Sequence, residues 1–190
     1  MLYSGGEKSS HNEKRNITVE LHNGDIAFRR GSGAASHMVL AADNQGSYSH
    51  VGIVVCVDSV WRVIHAVPFE GQSAKDDHIY GDEVGEFFGK FKAVAGAIYR
   101  YQALDSAQIT AITNYAKLHL DRTTPFDHDY NLDDDSRQYC SELVWRCFLQ
   151  ANIDITNGER STVTLPTMSG KYILPSDIEL NKKLTCVYTF

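Results

Sequence analysis

The sequence contains no apolar run approaching the length of a membrane span, no basic start followed by an apolar stretch, and no internal repeat. Neither stable membrane insertion nor a removable export signal of the usual pattern is expected from it. Its four cysteines, Cys56, Cys140, Cys147 and Cys186, form no CxxC pair and match no Cys–His zinc spacing. No metal and no cofactor are therefore expected. A basic excess is also missing: the net charge is −6, and Asp127, Asp129, Asp133, Asp134 and Asp135 crowd one short segment. That balance argues against a nucleic-acid partner, whose phosphates call for clustered cations.

What is present is the composition of an ordinary globular protein, with 190 residues in all. This is enough for one hydrophobic core without metal or disulfide support. Residues 1–16 are polar and rich in Ser, Gly, Lys and Glu, so a disordered tail is expected there and a single domain over 17–190. The tail reads either as a native start, which would suit the cytoplasm, or as the remainder of an exported protein. Oligomeric state is not legible.

Periodicity supplies the elements. A short strand is expected over Ile26 to Arg29, a helix over Ala34 to Ala42, and a hairpin of Val51 to Val57 and Trp61 to Val67 turning at Asp58-Ser59. Residues 68–89 read as mixed loop with a short helix near Val84 to Phe88, and Ala93 to Tyr101 as a strand. Asp105 and Gln108 have the spacing of a capping box, and Ile109, Ile112, Ala116 and Leu120 then share one helix face. A second helix opens at Cys140 and runs to about Ala151, and Leu184 to Tyr188 reads as a final strand. Strands first and helices later point to an α+β domain around an antiparallel sheet.

Chemistry concentrates at two places. The run Arg137-Gln138-Tyr139-Cys140-Ser141-Glu142 puts a thiol in the first turn of a helix, where unpaired N–H groups and the dipole favour a thiolate. Cys140 is accordingly expected to be the one strongly nucleophilic thiol, with Cys56, Cys147 and Cys186 as small buried hydrophobes. Upstream, Tyr48-Ser49-His50-Val51-Gly52 opens the hairpin. Val51, Ile53, Val55 and Val57 form its core face, so His50, Gly52, Val54 and Cys56 lie on the other. A two-residue turn sets Gly52 opposite His65, and any even loop keeps His50 and His65 on one face. Gly52 on that face is expected to leave room for something to approach. A nucleophile, a base and a polar group to orient the base are the parts of a thiol hydrolase.

These residues resemble a known family. Ser49-His50-Val51-Gly52, Val63-Ile64-His65-Ala66-Val67 and Asp134 to Trp145 look like the YiiX-like branch of the NlpC-type cysteine hydrolases. The opening Asn23-Gly24-Asp25-Ile26-Ala27-Phe28 and the stretch Thr124-Pro125-Phe126-Asp127 are similar to that branch as well. The resemblance implies a circularly permuted papain-like fold, in which the histidine precedes the cysteine. It implies Cys140 as nucleophile, His50 as general base, His65 as orienting residue and Tyr139 beside the oxyanion site. Close relatives often carry a glutamate where this chain has His65. Glu142 reads as helix-end electrostatics rather than catalysis.

The resemblance further implies a bacterial cell-envelope or periplasmic enzyme. Its substrate would be a small peptide of the cell wall or an acyl amide or ester of a lipid, since the branch also resembles lecithin:retinol acyltransferases. Phe69, Phe87, Phe88 and Phe91 tilt the choice towards lipid-like amides. Two rivals stand beside it: a catalytically silent binding module on the same fold, and a metal site using His50, His65 and a cysteine, for which the ligand set is incomplete.

Overall fold

The computed structural model describes residues 14–43, 45–68, 77–165 and 168–190. The first half of the chain builds a sheet: β1 (Ile26–Arg30), α1 (Ala34–Ala42), β2 (His50–Val57), β3 (Val60–Val67), β4 (His78–Glu83), the single turn α2 (Val84–Phe87) and β5 (Ala95–Tyr101). The second half is α3 (Ser106–Asp121), α4 (Cys140–Leu149), a small hairpin β6 (Ser161–Leu165) and β7 (Met168–Tyr172), α5 (Pro175–Glu179) and β8 (Leu184–Thr189). Six strands form one antiparallel sheet in the order β4-β3-β2-β1-β5-β8. The molecule is α+β, as the order of elements predicts.

The β2–β3 turn closes on Val57↔Val60, with Asp58 at φ 49° and Ser59 at φ 64°. Both central residues are left-handed, the geometry that matches the twist of the flanking strands. Helix α3 is fixed by its capping box: Gln108 N–H donates to Asp105 Oδ1 (2.8 Å), and Asp105 N–H donates to Gln108 Oε1 (3.1 Å). Ile112 and Ala116 are buried from its predicted face, joined by Thr113 and His119.

The sheet is covered on both sides. On one face Ile26, Phe28, Val51, Ile53, Val55, Ile64 and Ala66 meet Leu143, Val144, Cys147 and Phe148 of α4 in the main core. On the other, Ala27, Val54, Val63 and Ile98 meet Phe87 and Phe88. Ile17, Val19, Leu21, Trp61, Tyr188 and Phe190 pack against this second cluster. The side of β2 that carries His50 is therefore an interior layer rather than an open cleft wall. The tail expected over residues 1–16 lies outside the described residues up to 13. Arg15 N–H donates to Gly85 O (2.9 Å), which anchors the chain where its description begins.

Several elements depart from expectation. β4 falls in the stretch read as loop, because its only fully apolar buried residue is Ile79 and it carries Gly81, Asp82 and Glu83. Pairing with β3, from Arg62↔Glu83 to Val67↔His78, makes it a strand. The β6–β7 hairpin and α5 were also not expected, while α4 ends at Leu149, short of Ala151.

Candidate active site

The thiol is placed by the start of α4. Tyr139 is extended (φ −98°, ψ 171°) and Cys140 is the first helical residue. Glu142, fully buried, ties this turn down: Oε2 accepts from Tyr139 N–H (3.3 Å) and Oε1 from Arg146 Nε (2.7 Å). Arg146 Nη2 in turn donates to Leu132 O (2.8 Å), linking the helix to the loop ahead of it. Burial pushes the Glu142 carboxyl up to about 7 in spite of Arg146. The role is structural, as its position in the first turn suggests.

The loop between α3 and α4 is pinned next to β4. Pro125 bridges His78, and Phe126 bridges Gln138. Asp127 is buried, with Oδ1 accepting from Asp129 N–H (2.9 Å) and Oδ2 from Asn131 N–H. The Thr-Pro-Phe-Asp stretch thus works as a brace that delivers Gln138, Tyr139 and Cys140 to the sheet.

The imidazole is placed by the sheet. Residue pairing between β2 and β3 runs from Val57↔Val60 to Ile53↔Ile64. Beyond it, the backbone N–H of Val51 comes close enough to the Cys140 thiol to favour its charged form. The sulfur therefore lies near the residue that follows His50. His50 Nε2 meets His65 Nδ1 at 2.9 Å, with the rings edge to face. A Cβ on Gly52 would lie 2.5 Å from Val63 Cγ1 and 2.9 Å from His65 Cβ. The space expected at Gly52 is thus already filled by β3, and the missing side chain is what lets the two histidines approach.

His65 is completely buried, and Phe87 packs on both rings, 5.0 Å from His65 and 5.8 Å from His50. The other nitrogen of His65, Nε2, faces Asp82 Oδ2 at 3.5 Å, and Lys92 Nζ lies 2.7 Å from the same oxygen. Burial alone would raise the Asp82 carboxyl, but His65 and Lys92 outweigh it and hold the carboxyl well below its ordinary range. Burial pulls the His50 imidazole well below its ordinary value, helped by the charges of Arg29, His65 and Lys92.

Burial raises the Cys140 thiol, against the downward pull of the Ser141 hydroxyl and of the Val51 and Ser141 amides. This corrects the expectation of a depressed thiol. The helix end acts on it, and desolvation is larger.

Tyr139 is brought to the site, but its hydroxyl accepts from Ile173 N–H (3.0 Å) at the start of the β7–α5 link. It serves there as an anchor. Tyr130 also stands near the thiol: its hydroxyl is raised first by burial and next by the Cys140 sulfur, which acts on Tyr139 as well. Tyr130 is left-handed (φ 55°), and its ring stands edge-on to Tyr139 (5.2 Å) and Tyr172 (5.9 Å). Asp82 and Tyr130 were not picked out from sequence, since both lie in stretches without periodicity. Of the four thiols, Cys147 is buried, Cys56 and Cys140 are partly buried, and Cys186 is exposed on β8.

A family model of permuted papain-like amidases, YaeF/YiiX, the C92 family, matches residues 20–188. The chain belongs to this family. As a C92 member it is a cysteine hydrolase of the amidase kind, on a permuted papain-like fold. Among solved structures, the metalloprotein yiiX from Escherichia coli O157:H7 is similar, with a TM-score of 0.71 over 88% of this chain and 97% of that chain. The identity is 21%, so this likeness speaks to the fold alone. No curated protein sequence matches the chain. Among the described residues, no group of three or more His, Cys, Asp or Glu side chains is arranged to hold a metal ion.

Proposed function

We propose that this C92 hydrolase cleaves the amide bond of a short peptide through an acyl-enzyme on Cys140, with His50 as general base. The observation that carries the reading is the Cys140 thiol at the helix start, close to the amide of Val51, the residue that follows His50 of the His50–His65 pair.

Burial holds the thiol and the imidazole neutral at rest. Proton transfer therefore accompanies attack: His50 takes the thiol proton as sulfur bonds to the carbonyl carbon. Backbone N–H groups at the start of α4 are the donors nearest the developing oxyanion. Collapse of the tetrahedral species expels the amine, which takes the proton from His50. Water, deprotonated by His50, then attacks the thioester, releases the acid and restores the thiol.

Peptide is favoured over lipid amide by what surrounds the thiol. Phe87 and Phe88 are fully buried in the second layer, which takes them out of reach of an acyl chain, Phe91 is exposed, and Phe69 lies outside the described residues. The aromatic groups near the Cys140 sulfur are instead tyrosines, Tyr130 and Tyr139, which combine an apolar face with a hydroxyl. Cell-wall peptides are the first class to try.

The test is a panel of cell-wall peptides, other short peptides and acyl amides, read by amine release. Cys140→Ala is expected to abolish turnover, and His50→Ala to cost nearly as much, because nucleophile and base act as a unit. An acylating probe should load Cys140 in the wild type. Retained activity in Cys140→Ala, or no acyl adduct with any member of the panel, overturns the hydrolytic assignment and leaves a binding module. Release from acyl amides alone would overturn the peptide choice.

A further inference from the structure

The contact between His50 and His65 has a direction that the two rings cannot set by themselves. One nitrogen must donate and the other accept, and two neutral imidazoles allow either arrangement. In one, His50 Nε2 carries the hydrogen and Nδ1 is left bare, able to receive a proton. In the other, His65 donates, and His50 carries its hydrogen on Nδ1, where it blocks the base.

The answer lies one strand further out. His65 stands on β3 opposite Tyr80, and Asp82 is two residues along β4 on the same face. This is the diagonal relation through which side chains of neighbouring strands meet. Asp82 Oδ2 is 3.5 Å from His65 Nε2 and 2.7 Å from Lys92 Nζ, and Asp82 is 19% exposed while His65 is fully buried. With an ammonium against it, Asp82 stays an anion, and a carboxylate only accepts. At 3.5 Å the His65–Asp82 contact is long for a hydrogen bond; catalytic hydrogen bonds are often long at rest and tighten as charge develops.

We infer that Asp82, backed by Lys92, is a positioning residue that fixes the tautomers of both histidines and leaves His50 Nδ1 bare for the thiol proton. The order of protons is then determined. Asp82 accepts from His65 Nε2–H, His65 Nδ1 accepts from His50 Nε2–H, and His50 Nδ1 remains a lone pair. When His50 takes the thiol proton, no further proton has to move, and the Asp82 charge acts through His65 on the new imidazolium. Asp82 thereby supplies the anion that an orienting glutamate at position 65 would supply directly. The inference rests on His50 being the base of the proposed hydrolase.

The test reads tautomers and kinetics separately. In protein labelled with 15N-histidine, long-range proton–nitrogen spectra distinguish protonated from bare ring nitrogens. The wild type should show His65 and His50 each protonated at Nε2 and bare at Nδ1. Asp82→Asn, whose amide nitrogen can donate to His65 Nε2, should shift His65 towards its Nδ1–H form. It should lower kcat by about 100-fold with little change in KM, a smaller loss than the ~10⁴-fold of an orienting aspartate that touches the base directly.

A second variant tests the route. In His65→Gln the amide oxygen accepts from His50 Nε2–H without help, so adding Asp82→Asn should cost little more. A wild-type His65 protonated at Nδ1, unchanged tautomers in Asp82→Asn, or full additivity of the two losses would each overturn the inference. If the tautomers are as stated and no amide is cleaved, the proton order stands and the hydrolytic reading fails.

Discussion

At Cys140 two influences of known sign compete. The helix start lowers the thiol pKa and desolvation raises it, and desolvation is larger. The thiol is therefore protonated at neutral pH, and its thiolate appears only above the ordinary thiol range of about 8.5. Cys186 is exposed on β8 and open to reagent. Iodoacetamide at substoichiometric dose and pH 7 is accordingly expected to mark Cys186 before Cys140, with Cys140 gaining as the pH rises past about 8.5. Peptide mapping over a pH series checks this. A Cys140 that leads at pH 7 would mean that a thiolate–imidazolium pair already exists at rest. His65 calls for similar care. Because it is fully buried, His65→Ala removes packing as well as orientation, and its kinetics must be read beside a melt.

Among the elements, α4 carries the most local signal and β4 the least. The thiol, the buried Leu143, Val144, Cys147 and Phe148, and the acidic first turn make α4 readable from sequence. Parity along β2 and β3 put His50 and His65 together because the side-chain period of a strand survives any even turn. β4 has no such pattern. Its identity depends on a partner strand, and so Asp82, two strands from His50, was hidden together with the strand that carries it. Tyr130 was hidden for a related reason: a left-handed loop residue gains its position from Tyr139 and Tyr172, neither of which is near it in a periodic segment.

The start of α4 also makes an energetic prediction. Glu142→Ala removes the acceptor for Tyr139 N–H and leaves Arg146, whose side chain is mostly buried, without its carboxylate. Breaking one side of a buried pair typically costs about 3–5 kcal/mol. With the carboxyl near half-protonation at pH 7, the lower end, about 3 kcal/mol, is expected. Urea titration measures it, and a change under about 1 kcal/mol would show that the turn is held by packing alone.

Across the whole molecule, the two described ends of the chain meet over the histidine face. Phe190 exchanges backbone hydrogen bonds with Gly96, lies under the Arg15 guanidinium (3.5 Å) and stands edge-on to Phe88 (5.5 Å). Phe88 contacts Phe87 (5.0 Å), which covers His65 and His50. Gly96 is required at the crossing, since a Cβ there would come within 2.6 Å of the Phe190 ring. Phe190→Ala is expected to cost about 2 kcal/mol, less than the ~3–5 of a fully buried phenylalanine because Phe190 keeps partial exposure. Thermal melts give that figure. A kcat that falls in the same variant under folding conditions would show that the aromatic chain transmits order to the imidazoles.

The order of residues also bears on biosynthesis. Translation delivers the amino end first, so the strands that hold His50, His65 and Asp82 leave the ribosome before Cys140 does. On the proposed mechanism the nascent polypeptide owns its proton acceptors while it still lacks the sulfur they serve. A product that terminates anywhere before α4 is then expected to be inert towards amides, with hydrolysis beginning only once α4 has docked on the finished hairpin.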